Sequence, residues 1–355
     1  MAAAMSRFRG QLTVHGWYLG LVRRLAASLA VWSLVASAGL SAPAQAEAIK
    51  IGSLTVANVG PIFIAKLKGY FAAEGLEVEL VSFDAAQPVA VAVASGSIDF
   101  GVTSTSGGFF SLAGQGPLRI ISGLYSEAPG FHNFAVVASD HAYAAGLTRY
   151  QDLPNHSVAT TQIGSPVHYS LALLADKYHL DLQSIRLLPL QSIPNMLSAL
   201  IGNQADAAII TGTAVTPALQ AGQVKLLGWI GDETPWQTAV TFTTIKMLNE
   251  RPSTVQAFLR AFRKGTRDYH DAFTGPDGKR ADGPTTDEIL AIIAKYLNQT
   301  PEQVTLSVAY VDADARLDVD DIRHQVAWFK SQKMLKEEID ANTVMDMRYV
   351  IARPH

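Results

Sequence analysis

Residues 88–103 read Pro-Val-Ala-Val-Ala-Val-Ala-Ser-Gly-Ser-Ile-Asp-Phe-Gly-Val-Thr, and residues 193–210 read Ile-Pro-Asn-Met-Leu-Ser-Ala-Leu-Ile-Gly-Asn-Gln-Ala-Asp-Ala-Ala-Ile-Ile. Each stretch is a proline-led helical segment, a glycine (Gly96 or Gly202), an aspartate (Asp99 or Asp206) and an apolar run. Proline suits the first helical turn, and glycine supplies the positive φ that ends a helix. The apolar run behind each aspartate then reads as a buried strand. Two such passages in one chain predict two similar α/β units.

Working outward from the first passage, 49–54, 76–83, 98–103 and 118–125 read as strands, and 61–71, 88–94 and 107–113 as helices. A polar connection at 147–154 follows, and the rhythm restarts with strands at 157–161, 185–188, 207–210 and 224–230 and helices at 166–178, 193–201 and 214–221. Alternation of this kind implies a parallel sheet with right-handed crossovers and helices on both faces. From Ser253 onward the pattern is helical, with Val255, Phe258, Leu259 and Phe262 on one face, and further helices are expected at 287–297, from Thr300, and at 320–331. This helical part is expected to pack back on the first unit. The resulting architecture is two α/β lobes: 47–138 with 239–355 form lobe one, and 139–238 form lobe two.

The first 46 residues carry Arg7, Arg9, Arg23 and Arg24, no acidic residue, an apolar stretch at 25–40 and Ala44-Gln45-Ala46. This is the pattern of a cleaved signal peptide, with cutting after Ala46. About 16 apolar residues broken by Ser28, Ser33 and Ser37 fall short of the roughly 20 a membrane span needs. Without the four arginines, 24 basic residues face 31 acidic ones, a net charge of about −7. That balance argues against nucleic acid and anionic membranes as partners. The chain has no cysteine, which removes disulfides, thiolate metal sites, cysteine nucleophiles and lipidated tethers. A periplasmic monomer is the expectation.

In open α/β sheets, ligands sit beyond the carboxyl ends of the strands, where helix N-termini present free amides. Thr103-Ser104-Thr105-Ser106-Gly107-Gly108 lies at such a place, and its hydroxyls and amides suit a carboxylate, sulfonate or nitrate; the bland role is helix capping. Thr161-Gln162-Ile163-Gly164-Ser165-Pro166 repeats the arrangement, with Ser165 as N-cap and Pro166 in the first turn. Tyr125 and Thr211 end strands on the same side. His168, two residues into its helix, suits a donor to an anion or a satisfied structural histidine. The strand-end loops hold almost no Arg or Lys, so an anion would have to be held by amides and hydroxyls. Phe109, Trp229 and Trp236 are candidates for stacking on a planar ligand. The motifs of serine hydrolases, zinc proteases, P-loops and dinucleotide folds are missing, and the acidic run Asp312, Asp314, Asp318, Asp320 and Asp321 reads as a solvated loop and helix start. No cofactor or metal is expected.

The order Ile49-Lys-Ile-Gly, then Gly69-Tyr-Phe71, Glu74-Gly75-Leu76-Glu77-Val78-Glu79 and 94–101, with 196–207 in the second unit, resembles the substrate-binding proteins of nitrate/sulfonate/taurine ABC importers, which share a domain with thiamine-pyrimidine-precursor binders. The resemblance implies a periplasmic binding protein type II-like clamshell, hinged at two crossings near Ala138 and Ala239, with the ligand between the lobes. It also implies ligand contact from Thr55, Ala57 and Asn58, from Ser104 and Thr105, and from the loop holding Gln162, Gly164 and Ser165. The implied function is a receptor that passes a small organic acid or sulfonate, aromatic in one form, to an ABC permease in the inner membrane. The alternative is a thiamine-pyrimidine or menaquinone-pathway enzyme on the same fold, although the pyrimidine synthase relies on a cysteine-rich motif that this chain lacks.

Overall fold

The computed structural model describes residues 46–336 and 338–354, and the expected signal peptide lies outside the described residues. Among the described residues there are thirteen strands: β1 Glu47–Leu54, β2 Leu76–Phe83, β3 Phe100–Ser104, β4 Leu118–Gly123, β5 Tyr125–Glu127, β6 Phe134–Ser139, β7 Ser157–Thr160, β8 Arg186–Pro189, β9 Ala207–Thr211, β10 Val224–Trp229, β11 Trp236–Gln237, β12 Ala239–Thr244 and β13 Tyr310–Val311. They form two five-stranded sheets, ordered β2-β1-β3-β12-β4 and β8-β7-β9-β6-β10, and a small sheet β11-β5-β13. These are the two α/β lobes expected, and the two large sheets have the same strand order.

The sheets are mixed where the sequence implied parallel ones. β12 runs antiparallel between β3 and β4, and β6 antiparallel between β9 and β10. Both are crossing strands, each entering one sheet just after the chain has left the other. Neither was read as a strand, because no crossover helix sets up the rhythm around it. β6 belongs to the second sheet along its whole length, so residues 134–138 pair with that sheet and not with the first, as the boundary at 138 had it. The first passage lies in 128–133 and the second at Thr238, and the strands leading into them pair with each other, Trp236 opposite Glu127 and Gln237 opposite Ser126.

The aspartates of the two decisive stretches stand at equivalent points. Asp99 Oδ2 accepts the amide of Lys50 at 2.8 Å, and Asp206 Oδ2 accepts the amide of Ser157 at 2.8 Å, so each ties down the neighbouring parallel strand just before the two strands begin to pair. Gly69, Gly75 and Gly96 hold φ of 75°, 76° and 77°, as the helix-ending reading requires. Gly202 does not: its φ is −76°, and the next residue, Asn203, takes the left-handed turn at 55°. Asparagine tolerates that region better than most residues, and the Asn203 side chain also accepts the amide of His141, 62 residues away, at 3.3 Å.

The helix Pro252–Phe273 lays its apolar face on lobe one, where Phe258 stacks on Phe100 with ring centres 4.1 Å apart. The last long helix, Val319–Ser331, reaches both lobes: Phe329 meets Phe110 of lobe one at 5.8 Å and Tyr169 of lobe two at 6.0 Å. The acidic run before and within it is not simply solvated. Asp312 is buried and accepts the amides of Asp314 and Arg316. Asp321 accepts the amide of Gln237 in the second crossing and the side-chain amide of Gln325, and burial pushes its carboxyl up to about 6.

Candidate functional site

The carboxyl ends of four strands converge between the lobes. Leu54 ends β1, Ser104 ends β3, Thr161 follows β7 and Thr211 ends β9, and all four line one cavity together with Val56, Ala85, Tyr125, Phe134, Val167, Ile193, Met196 and Ile210. Its inner part gives the centres of water-sized bodies about 40 Å³ of room, against the roughly 10–15 Å³ that one water needs. Leu54, Val56 and Ile193 also border an outer chamber of about 200 Å³, walled by Thr55, Phe83, Asp84, Pro194, Thr213 and Ala214. Two adjacent spaces that share three wall residues therefore lie where the strand-end rule places a ligand.

Hydroxyl groups supply the polarity of the inner wall. Ser104 Oγ and Tyr125 Oη bond each other at 3.1 Å, and burial raises the tyrosine hydroxyl's pKa, keeping it protonated. Thr211 is 5% exposed, lines the cavity, and its Oγ1 has no protein partner. Apart from Thr161 the remaining lining is apolar, and among the described residues no Asp, Glu, His, Lys or Arg borders the inner cavity.

The structure sorts the residues expected from sequence into three groups. Ser104, Tyr125 and Thr211 border the inner cavity, and Thr55 borders the outer chamber, where its hydroxyl also bonds Ser82 at 2.5 Å. Ala57, Gly164 and Thr105 are engaged instead in contacts between the two lobes or beside the second crossing. The Ala57 amide donates to Thr213 Oγ1 at 3.1 Å across the gap, and Gly164 O accepts the Gly107 amide at 2.9 Å. Thr105 Oγ1 donates to Gln325 Oε1 at 2.5 Å, and Gln325 in turn bonds Gln237 O and Asp321. A hydrogen-bonded path thus runs from Thr105, next to the lining residue Ser104, to the second crossing.

Asn58, Gln162, Ser165 and His168 do not border either space. Asn58 is fully buried and donates to Asn133, which donates to Glu127; burial pushes that carboxyl up to about 8. Gln162 contributes its carbonyl oxygen, which accepts from the Thr160 hydroxyl and the Ser165 amide. Ser165 caps its helix by accepting the His168 amide at 3.3 Å. His168 Nδ1 accepts the Gly164 amide at 3.1 Å, so that nitrogen carries no proton, and burial lowers the ring's pKa further. Among the three stacking candidates, Trp229 lies on His132 at 4.4 Å, Trp236 edges onto Tyr169 at 4.9 Å, and Phe109 packs on Phe242 at 4.8 Å. The aromatic rings that do line the cavity are Tyr125 and Phe134, and Phe134 went unseen because its strand did.

The family model described as NMT1/THI5 like matches residues 56–277. The chain belongs to this family. A comparison with curated proteins returns no match. Among solved structures, the alkanesulfonate-binding protein SsuA of Xanthomonas axonopodis pv. citri, bound to MOPS, is 18% identical with a TM-score of 0.67, over 84% of this chain and 98% of that one. The periplasmic nitrate-binding protein NrtA of Synechocystis PCC 6803 is 13% identical with a TM-score of 0.64, over 84% and 85%. The desulfurization enzyme DSZB is 14% identical with a TM-score of 0.57, over 85% and 97%. At these identities the likeness is one of fold, which the NMT1/THI5-like chain shares with binding proteins and with an enzyme alike.

Proposed function

We propose that this NMT1/THI5-like chain is the extracytoplasmic solute-binding component of an ABC importer, closing on one small solute between its lobes. The supporting observation is the paired cavity at the carboxyl ends of two like-ordered sheets, bridged across the gap by Ala57 to Thr213 and Gly107 to Gly164. A ligand held there touches both lobes, so binding favours the closed arrangement by its extra contacts. The segments 128–133 and Thr238 form the hinge in this reading, with 47–127 plus 239–355 moving against 134–237. Export to the periplasm, release of the leader after Ala46, delivery to an inner-membrane permease and a monomeric state belong to the same proposal.

The sequence points to a small organic acid or sulfonate, with an aromatic body as one form. The walls support the body, since Phe134, Tyr125, Met196 and Ile210 offer an apolar surface and the hydroxyls fix orientation. The enzymatic alternative finds less support, because the inner wall holds no carboxylate, imidazole or amine to move a proton. Small-angle scattering and thermal melts with a panel of nitrate, sulfonates, aromatic acids and neutral aromatics test the receptor reading. A binder at about 100 times its Kd raises stability by about 2.7 kcal/mol and shrinks the radius of gyration. A compound converted into product by the purified chain would defeat this reading.

A further inference from the structure

We infer that the solute is uncharged: a small, largely apolar molecule with a single hydrogen-bonding group. The inference rests on the receptor reading and names the ligand class for that same cavity. Three observations support it, of which the first is the lining. Burying an ion costs more than it returns unless a partner of opposite charge or a full set of hydrogen bonds meets it. Among the described residues no cationic side chain borders the inner cavity or the outer chamber, and the one carboxylate on either wall is Asp84, at the outer chamber.

The second observation concerns five amides at strand ends and helix starts next to the cavity, of which only that of Ile193 belongs to a lining residue. Thr105 N donates to Thr238 O at 3.1 Å, Gly107 N to Gly164 O at 2.9 Å, and Gly212 N to Asn133 O at 2.7 Å. Gly164 N donates to His168 Nδ1 at 3.1 Å, and Ile193 N to Asp84 O at 3.4 Å. Helix N-termini attract anions through unpaired amides, and these amides already have protein acceptors. The third observation is Thr211, whose buried Oγ1 lacks a partner on the cavity wall. One hydroxyl can donate or accept, so it matches one neutral polar group of a guest, with Ser104 and Tyr125 able to take a second bond each.

The experiment is titration calorimetry of the leaderless chain with four probes on one ring: benzyl alcohol, benzoate, benzenesulfonate and benzylamine. The expected result is that benzyl alcohol binds at least about tenfold tighter than the three ions. Thr211→Val should weaken it about fivefold, as loss of one hydrogen bond does, and Thr211→Ser should restore it. Tighter binding of an anion or of the ammonium, abolished by Ala86→Trp at the cavity wall, overturns the uncharged class and leaves the receptor reading standing. Failure of all four probes to bind counts against both.

Discussion

Phe100 and Ala207 occupy the same register position in two sheets of the same order, yet one is a large aromatic ring and the other a methyl group. Phe100 lies opposite Ile51 on β3 and β1, and Ala207 lies opposite Val158 on β9 and β7. The difference follows from what covers each sheet. The long helix Pro252–Phe273 roofs lobe one and needs a ring for Phe258 to stack on, with Phe71 and Phe262 extending the stack to either side. Lobe two is built from smaller residues around that point, with Ala135, Ala138, Ala159 and Ala208 all buried. Shared topology therefore sets the frame, while the helices laid on it choose the side chains.

Exchanging the two residues breaks that comparison hardest. Phe100→Ala, which copies the residue of lobe two into lobe one, should cost about 3–5 kcal/mol by opening a cavity beneath Phe258. Ala207→Phe should also destabilise, by about 1–3 kcal/mol or more, because its surroundings are already filled. Urea unfolding of both variants measures the pair, and a neutral Phe100→Ala would show that the aromatic stack contributes little.

A smaller effect tests the aspartates that the two halves share. Asp99→Ala and Asp206→Ala should each cost about 1–2 kcal/mol, since each leaves strand-edge donors without their acceptor. Asp99 also meets Arg251 Nη1 at 3.1 Å, and Arg251 reaches Glu47 as well, whereas Asp206 takes both the amide and the hydroxyl of Ser157. Arg251→Ala should cost under about 1 kcal/mol and fade in roughly 1 M salt, while the cost of losing either aspartate persists there. Denaturant melts at low and high salt separate the two contributions; an Asp99 cost that vanished with salt would make it an ion-pair residue and end its equivalence to Asp206.

The smallest effect concerns the glycines. Gly96→Ala forces a side chain into the left-handed region and should cost about 1 kcal/mol, whereas Gly202→Ala should cost less than half of that, its φ being −76°. Equal losses in thermal melts would mean that crowding at Gly202, where a methyl would stand 3.1 Å from Ser198 O, matters as much as φ.

What the amino-acid sequence determined by itself is the repeated frame: the strand and helix rhythm, the two aspartates and the strand ends that meet at the cavity. These are legible because they depend on residues near one another in the chain, on hydrophobic period, turn glycines and helix starts. Ser104, Tyr125 and Thr211 were within reach for that reason, each closing or starting a readable strand. Only the tertiary structure decided that Asn58, Ser165 and His168 turn inward to protein partners and that Val56, Phe134, Met196 and Ile210 face the cavity. It also decided that β6 and β12 cross over and that Asp321 accepts the amide of Gln237. Which side of a strand meets a gap, and which amide already has an acceptor, depends on segments up to 220 residues apart, as Thr105 and Gln325 are, and local pattern carries no record of such pairings.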